Sequence, residues 1–250
     1  IDHILGLFRL WWVPAGLGPR MGTYIRYDHE AMVGILALEA YRAGALVVGE
    51  DLGTVEPWVR AYLRERGIIG TSVLWFENGE DGNPLAPEQW REYAMSSVTT
   101  HDLPPTTGYL AGDHVEVRSE LGLLTESVEY ERAAAARQTA AWIAILRARG
   151  VLAGDNPSEE EIVLAMHRML TRTPSKVLNV TLTDAVGDRR TQNLPGTTNE
   201  YPNWRVPLSH PDGSPMWLEE VFTDERAARL SQVMNEKSPS CVTGERLARA

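Results

Sequence analysis

The sequence contains little cysteine, no excess of positive charge and no long apolar run. Cys241 is the single cysteine among 250 residues, so an intrachain disulfide cannot form, which fits a reducing compartment. Against 24 basic residues there are 34 acidic ones, and the formal net charge of −10 would repel a phosphate backbone. No apolar run approaches the ~20 residues that span a bilayer, and the first residues lack the pattern of a signal peptide. We therefore expect a cytoplasmic protein that binds neither nucleic acid nor membranes.

Motifs of several common enzyme classes are also missing. The sequence has no G-x-S-x-G elbow and no G-x-x-x-x-G-K-[ST] loop, which argues against an α/β-hydrolase and a P-loop NTPase. No glycine-rich phosphate turn follows a predicted strand, which disfavours the main competing fold, a doubly wound open sheet. Cys241 lies in a polar C-terminal segment, so a cysteine nucleophile is not expected.

Carboxylates follow predicted strands at three places in the chain. The apolar run 45–48 ends at Gly49-Glu50-Asp51, and an amphipathic segment comes next. Asp2-His3 and His101-Asp102 have the same form, an apolar stretch that opens onto an acid beside a histidine. Because a buried parallel strand delivers such residues to the edge of a sheet, Asp2, Glu50 and Asp102 are candidate active-site residues.

Strand and helix patterns alternate along the chain. Asp28 and Gly44 bracket a predicted helix, and Ser158 with Glu161 forms a capping box for another. Strands are predicted near 71–76, 96–100 and 177–182, and a long alanine-rich helix over 126–149. Alternation with short links predicts an α/β fold, the C-terminal part of a (β/α)8 TIM barrel covering about strands four to eight. The predicted domain is a partial barrel over 1–250 with a helical insertion around 111–172 and no separate boundary.

Three carboxylates suit the cleavage of a glycosidic bond with retention. One acts as nucleophile, one protonates the leaving oxygen and then serves as base, and the two stand roughly 5 Å apart. A third can hold sugar hydroxyls near the oxocarbenium-like transition state. The aromatic set of eight Trp and eight Tyr against three Phe supplies flat faces for sugar stacking, or equally for packing.

Each candidate also has a purely structural interpretation. Asp2 could cap a turn, and Asp102, before Leu103-Pro104, could be a turn residue. The pair Glu50-Asp51 could favour the positive end of the following helix, a role that we assign to Asp51. The histidines could be metal ligands, but their spacing is a weak metal signal, and no metal or cofactor is expected. The coincidence of acids at successive strand ends favours a site.

Four ordered motifs resemble the 4-α-glucanotransferases (amylomaltases, disproportionating enzymes) of the α-amylase clan, and they cover most of the chain. They are Ile1-Asp2-His3 with Gly6-Leu7 and Arg9, Gly49-Glu50-Asp51-Leu52-Gly53, Thr100-His101-Asp102-Leu103-Pro104, and Asn193-Leu194-Pro195-Gly196-Thr197 with Tyr201-Pro202-Asn203-Trp204.

The resemblance implies a role for each candidate residue. Asp2 would be the nucleophile at strand four, Glu50 the acid/base at strand five, and Asp102 the transition-state stabiliser at strand seven. His3, His101 and Asn193 would bind the sugar at the cleavage point. The implied reaction transfers an α-1,4-glucan segment to the 4-hydroxyl of glucose or of another α-1,4-glucan through a covalent glucosyl-enzyme. The partners would be maltooligosaccharides and α-1,4-glucans, without a cofactor.

Two other functions use the same residues. A hydrolase of the same clan would deliver the intermediate to water, and the choice depends on how well acceptor sites exclude water. A non-catalytic glucan-binding protein would keep the fold without the reaction.

The chain opens on what looks like the end of a strand, so we expect earlier barrel strands to be missing. The family's arginine two positions before the nucleophile would precede Ile1. Without that cation and with open strand edges, we predict that the bare 250 residues are inactive and poorly stable. A thermal melt and a turnover assay check this, and a cooperative melt together with turnover would contradict it.

Overall fold

The computed structural model describes residues 1–236, so Cys241 lies outside the described residues. Contacts divide the chain into two units. Unit 1 comprises Ile1–Ser72, Arg91–Met95 and Ser175–Val177. Unit 2 comprises Val73–Trp90, Ser96–Pro174 and, among the described residues, 178–236.

The structure is mixed α/β. The α-helices are α1 (His29–Ala43), α2 (Pro57–Glu65), α3 (Thr106–Ala111), α4 (Asp113–Glu120), α5 (Val128–Ala148), α6 (Glu159–Leu170), α7 (Leu182–Val186), α8 (Leu218–Val221) and α9 (Glu225–Met234). Short 3-10 helices occur at Ile4–Leu7, Pro19–Met21, Leu74–Phe76 and Pro87–Gln89. The strands are β1 (Arg9–Trp12), β2 (Thr23–Arg26), β3 (Gly70–Val73), β4 (Ala94–Ser97) and β5 (Val177–Leu178).

Residues 1–236 contain two sheets. Strands β1 and β2 form an antiparallel hairpin in which Arg9 pairs with Arg26 and Trp12 with Thr23. The second sheet has the order β3-β4-β5. A parallel bridge between Val48 and Ile69 lies outside the named strands. It brings the chain that precedes Glu50 alongside the residues that lead into β3.

The core of unit 1 lies between the Ile4–Leu7 turn and helices α1 and α2. Its buried side chains are Ile4, Leu5, Phe8, Val33, Val59, Leu63 and Ile68. Phe8 stacks on His29 with ring centroids 5.0 Å apart, and Trp58 and Tyr62 meet both rings edge-on. Because such aromatic pairs add stability beyond their buried area, this cluster fixes the turn that follows Asp2-His3.

Helices α5 and α6 carry much of the core of unit 2. Trp142 and Leu146 on α5 are fully buried, as are Met166 and Leu170 on α6. Helix α6 contacts α3, α5 and α9. The packing therefore holds α3, which begins four residues after Asp102, against a buried helix.

The predicted helix caps are confirmed. The Asp28 side chain accepts a hydrogen bond from Ala31 N (3.1 Å), and α1 ends at Gly44, whose φ of 61° is left-handed. Ser158 and Glu161 form the reciprocal capping box of α6. Local side-chain to backbone hydrogen bonding decides these ends, so sequence is sufficient to locate them.

Four local strand predictions differ from the structure. The predicted strand 71–76 ends at Val73 and is followed by the 3-10 helix Leu74–Phe76, and the strand predicted near 96–100 is Ala94–Ser97. The apolar run 45–48 is a single bridge and not a buried strand, and Leu46 is 61% exposed. The segment 177–182 is a strand only at Val177–Leu178, because the Thr181 side chain accepts from Asp184 N and starts helix α7. None of the helices within residues 1–236 is both long and apolar enough to cross a membrane.

Candidate active site

Glu50 is held against the Asp2-His3 turn within unit 1. The backbone N–H of His3 donates to Glu50 Oε2 (2.9 Å), and the N–H of Leu52 donates to Oε1 (2.6 Å). The backbones also pair, since Glu50 N donates to Ile1 O (2.8 Å) and Ile4 N to Glu50 O (2.9 Å). Two backbone donors therefore orient the carboxylate, and both candidate residues Asp2 and His3 lie beside it at the surface.

Asp51, the residue after Glu50, is buried and has partners of its own. Arg91 Nη1 and Nη2 donate to its two carboxylate oxygens (2.6 and 3.1 Å), and Thr71 N donates to Oδ1 (2.9 Å). Arg60 Nε adds a contact of 3.4 Å. A Cβ on Gly70 would lie 2.7 Å from both Arg91 Nη1 and Asp51 Oδ2, so glycine leaves the space that this ion pair occupies.

This arrangement corrects the helix-end role that the sequence suggested for Asp51. The carboxylate is 2% exposed and paired with a cation 40 residues away, and α2 begins six residues later, after Glu56. Burial without a partner would cost several kcal/mol, and the bidentate guanidinium offsets that cost. Asp51 therefore fixes the chain directly after Glu50 to the backbone of β3, through its bond to Thr71 N.

Asp102, His101 and Asn193 come together in unit 2. Asn193 Nδ2 donates to Asp102 Oδ1 (2.6 Å), and His101 Nε2 lies 3.4 Å from the same oxygen. The backbone N of Asn193 donates to His101 O (3.1 Å). The amide thus orients a carboxylate that stays exposed, although the two residues are 91 positions apart.

The aromatic residues of the segment 193–204 divide into two kinds. Tyr201 donates its hydroxyl to Thr191 O (2.7 Å), which is a structural contact. Trp204 is 65% exposed, and its ring lies 5.1 Å from that of His101, centroid to centroid. Trp204 therefore belongs to the candidate site, which the sequence alone left undecided between stacking and packing.

His3 and Trp204 share an unusual backbone conformation. Among residues 1–236 they are the two non-glycine residues with positive φ, at 49° and 60°. Such conformations cost free energy and occur disproportionately at functional sites. Both residues lie beside a candidate acid or its histidine neighbour, so the strain supports a site at each place.

The structure thus assembles the six predicted residues into two groups. Asp2, His3 and Glu50 lie together in unit 1, and His101, Asp102 and Asn193 in unit 2. Within the described part of the chain, no group of three or more His, Cys, Asp and Glu side chains has the arrangement of a metal site. Carboxylates presented beside histidine and amide groups in a mixed α/β fold are typical of enzymes that act on glycosidic bonds.

Comparisons with known proteins agree with this class. The sequence profile of glycoside hydrolase family 77, described as 4-alpha-glucanotransferase, matches residues 1–211. The chain is 65% identical over 245 residues to a 4-alpha-glucanotransferase of Mycobacterium tuberculosis, a match that covers 96% of this chain and 34% of that protein. It is 34% identical over 227 residues to the Haemophilus influenzae 4-alpha-glucanotransferase, covering 84% and 31%.

Solved structures give the same result. The amylomaltase of Corynebacterium glutamicum matches with a TM-score of 0.88 and 43% identity, over 93% of this chain and 35% of that one. An amylomaltase of Streptococcus agalactiae, solved with acarbose, matches with a TM-score of 0.65 at 18% identity, over 94% and 40%, and supports the fold alone. The chain belongs to the 4-alpha-glucanotransferase family, and it spans about a third of the length of these relatives.

The buried Asp51–Arg91 pair generates a stability prediction. Replacing Arg91 by Met in the intact protein leaves the Asp51 carboxylate without its bidentate partner, and we expect the free energy of unfolding to fall by about 3 kcal/mol. Urea unfolding measures this.

The matched control is Arg42→Met, which removes an exposed ion pair with Glu39. We expect a change within about 0.5 kcal/mol for this variant. Equal losses in the two variants would show that the Asp51 pair has no special importance.

Proposed function

We propose that the intact protein is a 4-alpha-glucanotransferase that transfers an α-1,4-glucan segment to the 4-hydroxyl of glucose or of another α-1,4-glucan. Family membership supports the class of reaction. The observation that supports it most at the level of the site is the Glu50 carboxylate, oriented by the His3 and Leu52 N–H groups directly beside Asp2. An acid/base group and a neighbouring nucleophile are what a retaining reaction requires.

In the proposed first step, the Asp2 carboxylate attacks the anomeric carbon as the glycosidic C–O bond breaks. Glu50 gives its proton to the departing oxygen, so the leaving glucan carries away a neutral hydroxyl. A covalent glucosyl-enzyme remains. In the second step, Glu50 takes the proton from the acceptor 4-hydroxyl, whose oxygen displaces Asp2 and restores an α-linkage.

Asp102, His101 and Asn193 have supporting roles in this proposal. Asp102 would hold sugar hydroxyls more strongly in the oxocarbenium-like transition state than in the ground state, which is what raises kcat. His3, His101 and Asn193 would bind the sugar at the cleavage point. The exposed Trp204 ring beside His101 offers a further stacking face.

The proposal also covers the fold, the cellular compartment and the binding partners. We propose that the described elements are part of a (β/α)8 barrel, about strands four to eight, with helices α4 to α6 as the insertion around 111–172, in one domain without a separate boundary. We further propose that the protein acts in the cytoplasm, without a metal or cofactor and without nucleic acid or membrane partners. Its partners would be maltooligosaccharides and α-1,4-glucans.

Incubating the intact protein with maltotriose separates transfer from hydrolysis. We expect glucose together with a ladder of longer maltooligosaccharides, because a sugar acceptor captures the glucosyl-enzyme before water does. Chromatography that resolves products by chain length measures this. Shorter products alone would replace the transferase by a hydrolase, and unchanged maltotriose would favour a non-catalytic glucan-binding protein.

A Glu50→Gln variant separates an enzyme from a binding protein. Loss of the general acid and base should lower kcat about a thousandfold, while the amide, which keeps the size of the side chain and one of its two N–H···O bonds, still binds sugar. Turnover of maltotriose and calorimetric titration with acarbose measure the two quantities.

Glu39→Gln is the control for this variant, because Glu39 is an exposed acid on α1 whose partner is Arg42. It should behave as wild type in both assays. Full turnover by Glu50→Gln would eliminate the proposed acid/base role.

A further inference from the structure

Helix α7 carries two buried acids for which the reaction has no use. Asp184 lies within the helix and Asp188 directly after its Gly187 cap, and their exposed fractions are 4% and 0%. Each is fully engaged by hydrogen-bond donors from other segments of unit 2. Buried carboxylates are costly unless they are satisfied in this way, so the contacts that satisfy them are informative.

Asp184 holds the first residue of α3. Thr106 N donates to Asp184 Oδ1 (2.7 Å), and the Thr106 hydroxyl donates to Oδ2 (2.6 Å). Because both donors belong to Thr106, the two bonds fix the position and the orientation of that residue. Thr106 is itself fully buried and lies four residues after Asp102.

The residues between Asp102 and Thr106 restrict how far Asp102 can move relative to the fixed Thr106. Pro104 and Pro105 have fixed φ angles and no N–H, so Thr106 supplies the first backbone donor after Leu103. On the upstream side, the Thr99 hydroxyl donates to Pro104 O (2.9 Å). The Thr99–Pro104 bond thus closes the turn that carries Asp102. The stiff Pro104-Pro105 pair then connects this turn to Thr106, which Asp184 holds.

Asp188 anchors the segment that leads to Asn193. Its carboxylate accepts from Arg190 N (2.9 Å) and from Ser209 N (2.9 Å), and its backbone oxygen accepts from the Thr107 hydroxyl (3.0 Å). A Cβ on Gly108 would collide with the backbone oxygen of Arg189, so α3 and this segment are in close contact. Residues 184–188 therefore bond both to the helix that follows Asp102 and to the segment that leads to Asn193.

His167 lies beside Asp184 but does not form a hydrogen bond with its carboxylate. Burial lowers the pKa of His167, so the ring is neutral, and its Nδ1 bonds to Val163 O (2.8 Å). The Nε2 atom then carries no hydrogen and is 3.7 Å from Asp184 Oδ2, which is too far for a hydrogen bond. The hydrogen bonds of the Asp184 carboxylate therefore come from Thr106 on α3 and not from His167.

We propose that Asp184, through its two hydrogen bonds to Thr106, is a positioning residue that fixes the Asp102 carboxylate for the reaction. The inference rests on the proposed function. It differs from a purely structural role because it assigns the effect of Asp184 on turnover to one side chain, Asp102.

The experiment is a double-mutant cycle in the intact protein. Thr106→Val removes the hydroxyl donor and keeps the size and the backbone N–H of the residue. We expect kcat for maltotriose disproportionation to fall about tenfold with KM within about twofold, because a displaced transition-state contact lowers kcat and not ground-state binding. Thr106→Ser restores the hydroxyl and should restore kcat.

The decisive variant combines Thr106→Val with Asp102→Asn. If Thr106 acts through Asp102, the valine has no further effect on kcat once the carboxylate is gone. Thr173→Val is the control, because it removes a hydroxyl that bonds only locally to Leu170 O at the end of α6. It should leave kcat unchanged.

A second variant guards against poor folding of Thr106→Val. In Asp184→Asn, the amide oxygen still accepts from Thr106 N and the shape is preserved, yet the paired geometry is lost. It should also lower kcat, and this loss should vanish in the Asp102→Asn background.

The outcomes separate the two proposals. Turnover by the wild type and a large fall in kcat in Asp102→Asn, with residual turnover that can still be measured, test the proposed function, and both proposals fall if this baseline fails. If the baseline holds and the valine lowers kcat by the same factor in both backgrounds, the positioning role alone is overturned. A rise in KM at unchanged kcat would also overturn it.

Discussion

The buried ion pair between Asp51 and Arg91 is the interaction on which the candidate site of unit 1 depends. The Arg91 guanidinium and the Thr71 N–H hold the Asp51 carboxylate in a buried position. The neighbouring Glu50 carboxylate has different partners, the N–H groups of His3 and Leu52. Because the two residues are adjacent, the pair that fixes Asp51 also fixes the backbone from which the Glu50 side chain extends.

In unit 2 a different set of contacts orients the candidate carboxylate. Asp102 has no buried acid beside it, and its orientation comes from an amide, Asn193, together with the anchored turn that carries it. The stiff Pro104-Pro105 pair and the Thr106 anchor limit how far that turn can move. Each unit therefore has a buried carboxylate with satisfied hydrogen bonds, Asp51 or Asp184, that supports a more accessible one, Glu50 or Asp102.

Sequence was sufficient for features that depend on neighbours in the chain. The Asp28 cap, the Gly44 stop and the Ser158–Glu161 box follow from local hydrogen bonding. The strand-end pattern supplied Asp2, Glu50 and Asp102, and the family motifs added the sugar-binding candidates His3, His101 and Asn193. Contacts over long separations could not be predicted: Arg91 reaches Asp51 across 40 residues, and Asn193 reaches Asp102 across 91. Helix α7 was missed because the apolar pattern over 177–182 outweighed the Thr181 cap signal.

The left-handed backbone at His3 and Trp204 has a bearing on engineering. A side chain in that conformation costs about 1–3 kcal/mol, and glycine would relieve much of the strain. A consensus or thermostability screen that scores folding alone would therefore accept glycine at both positions and remove one ring from each group. Under the proposed function these rings contact sugar, so a higher melting temperature from glycine at either position would come with weaker sugar binding.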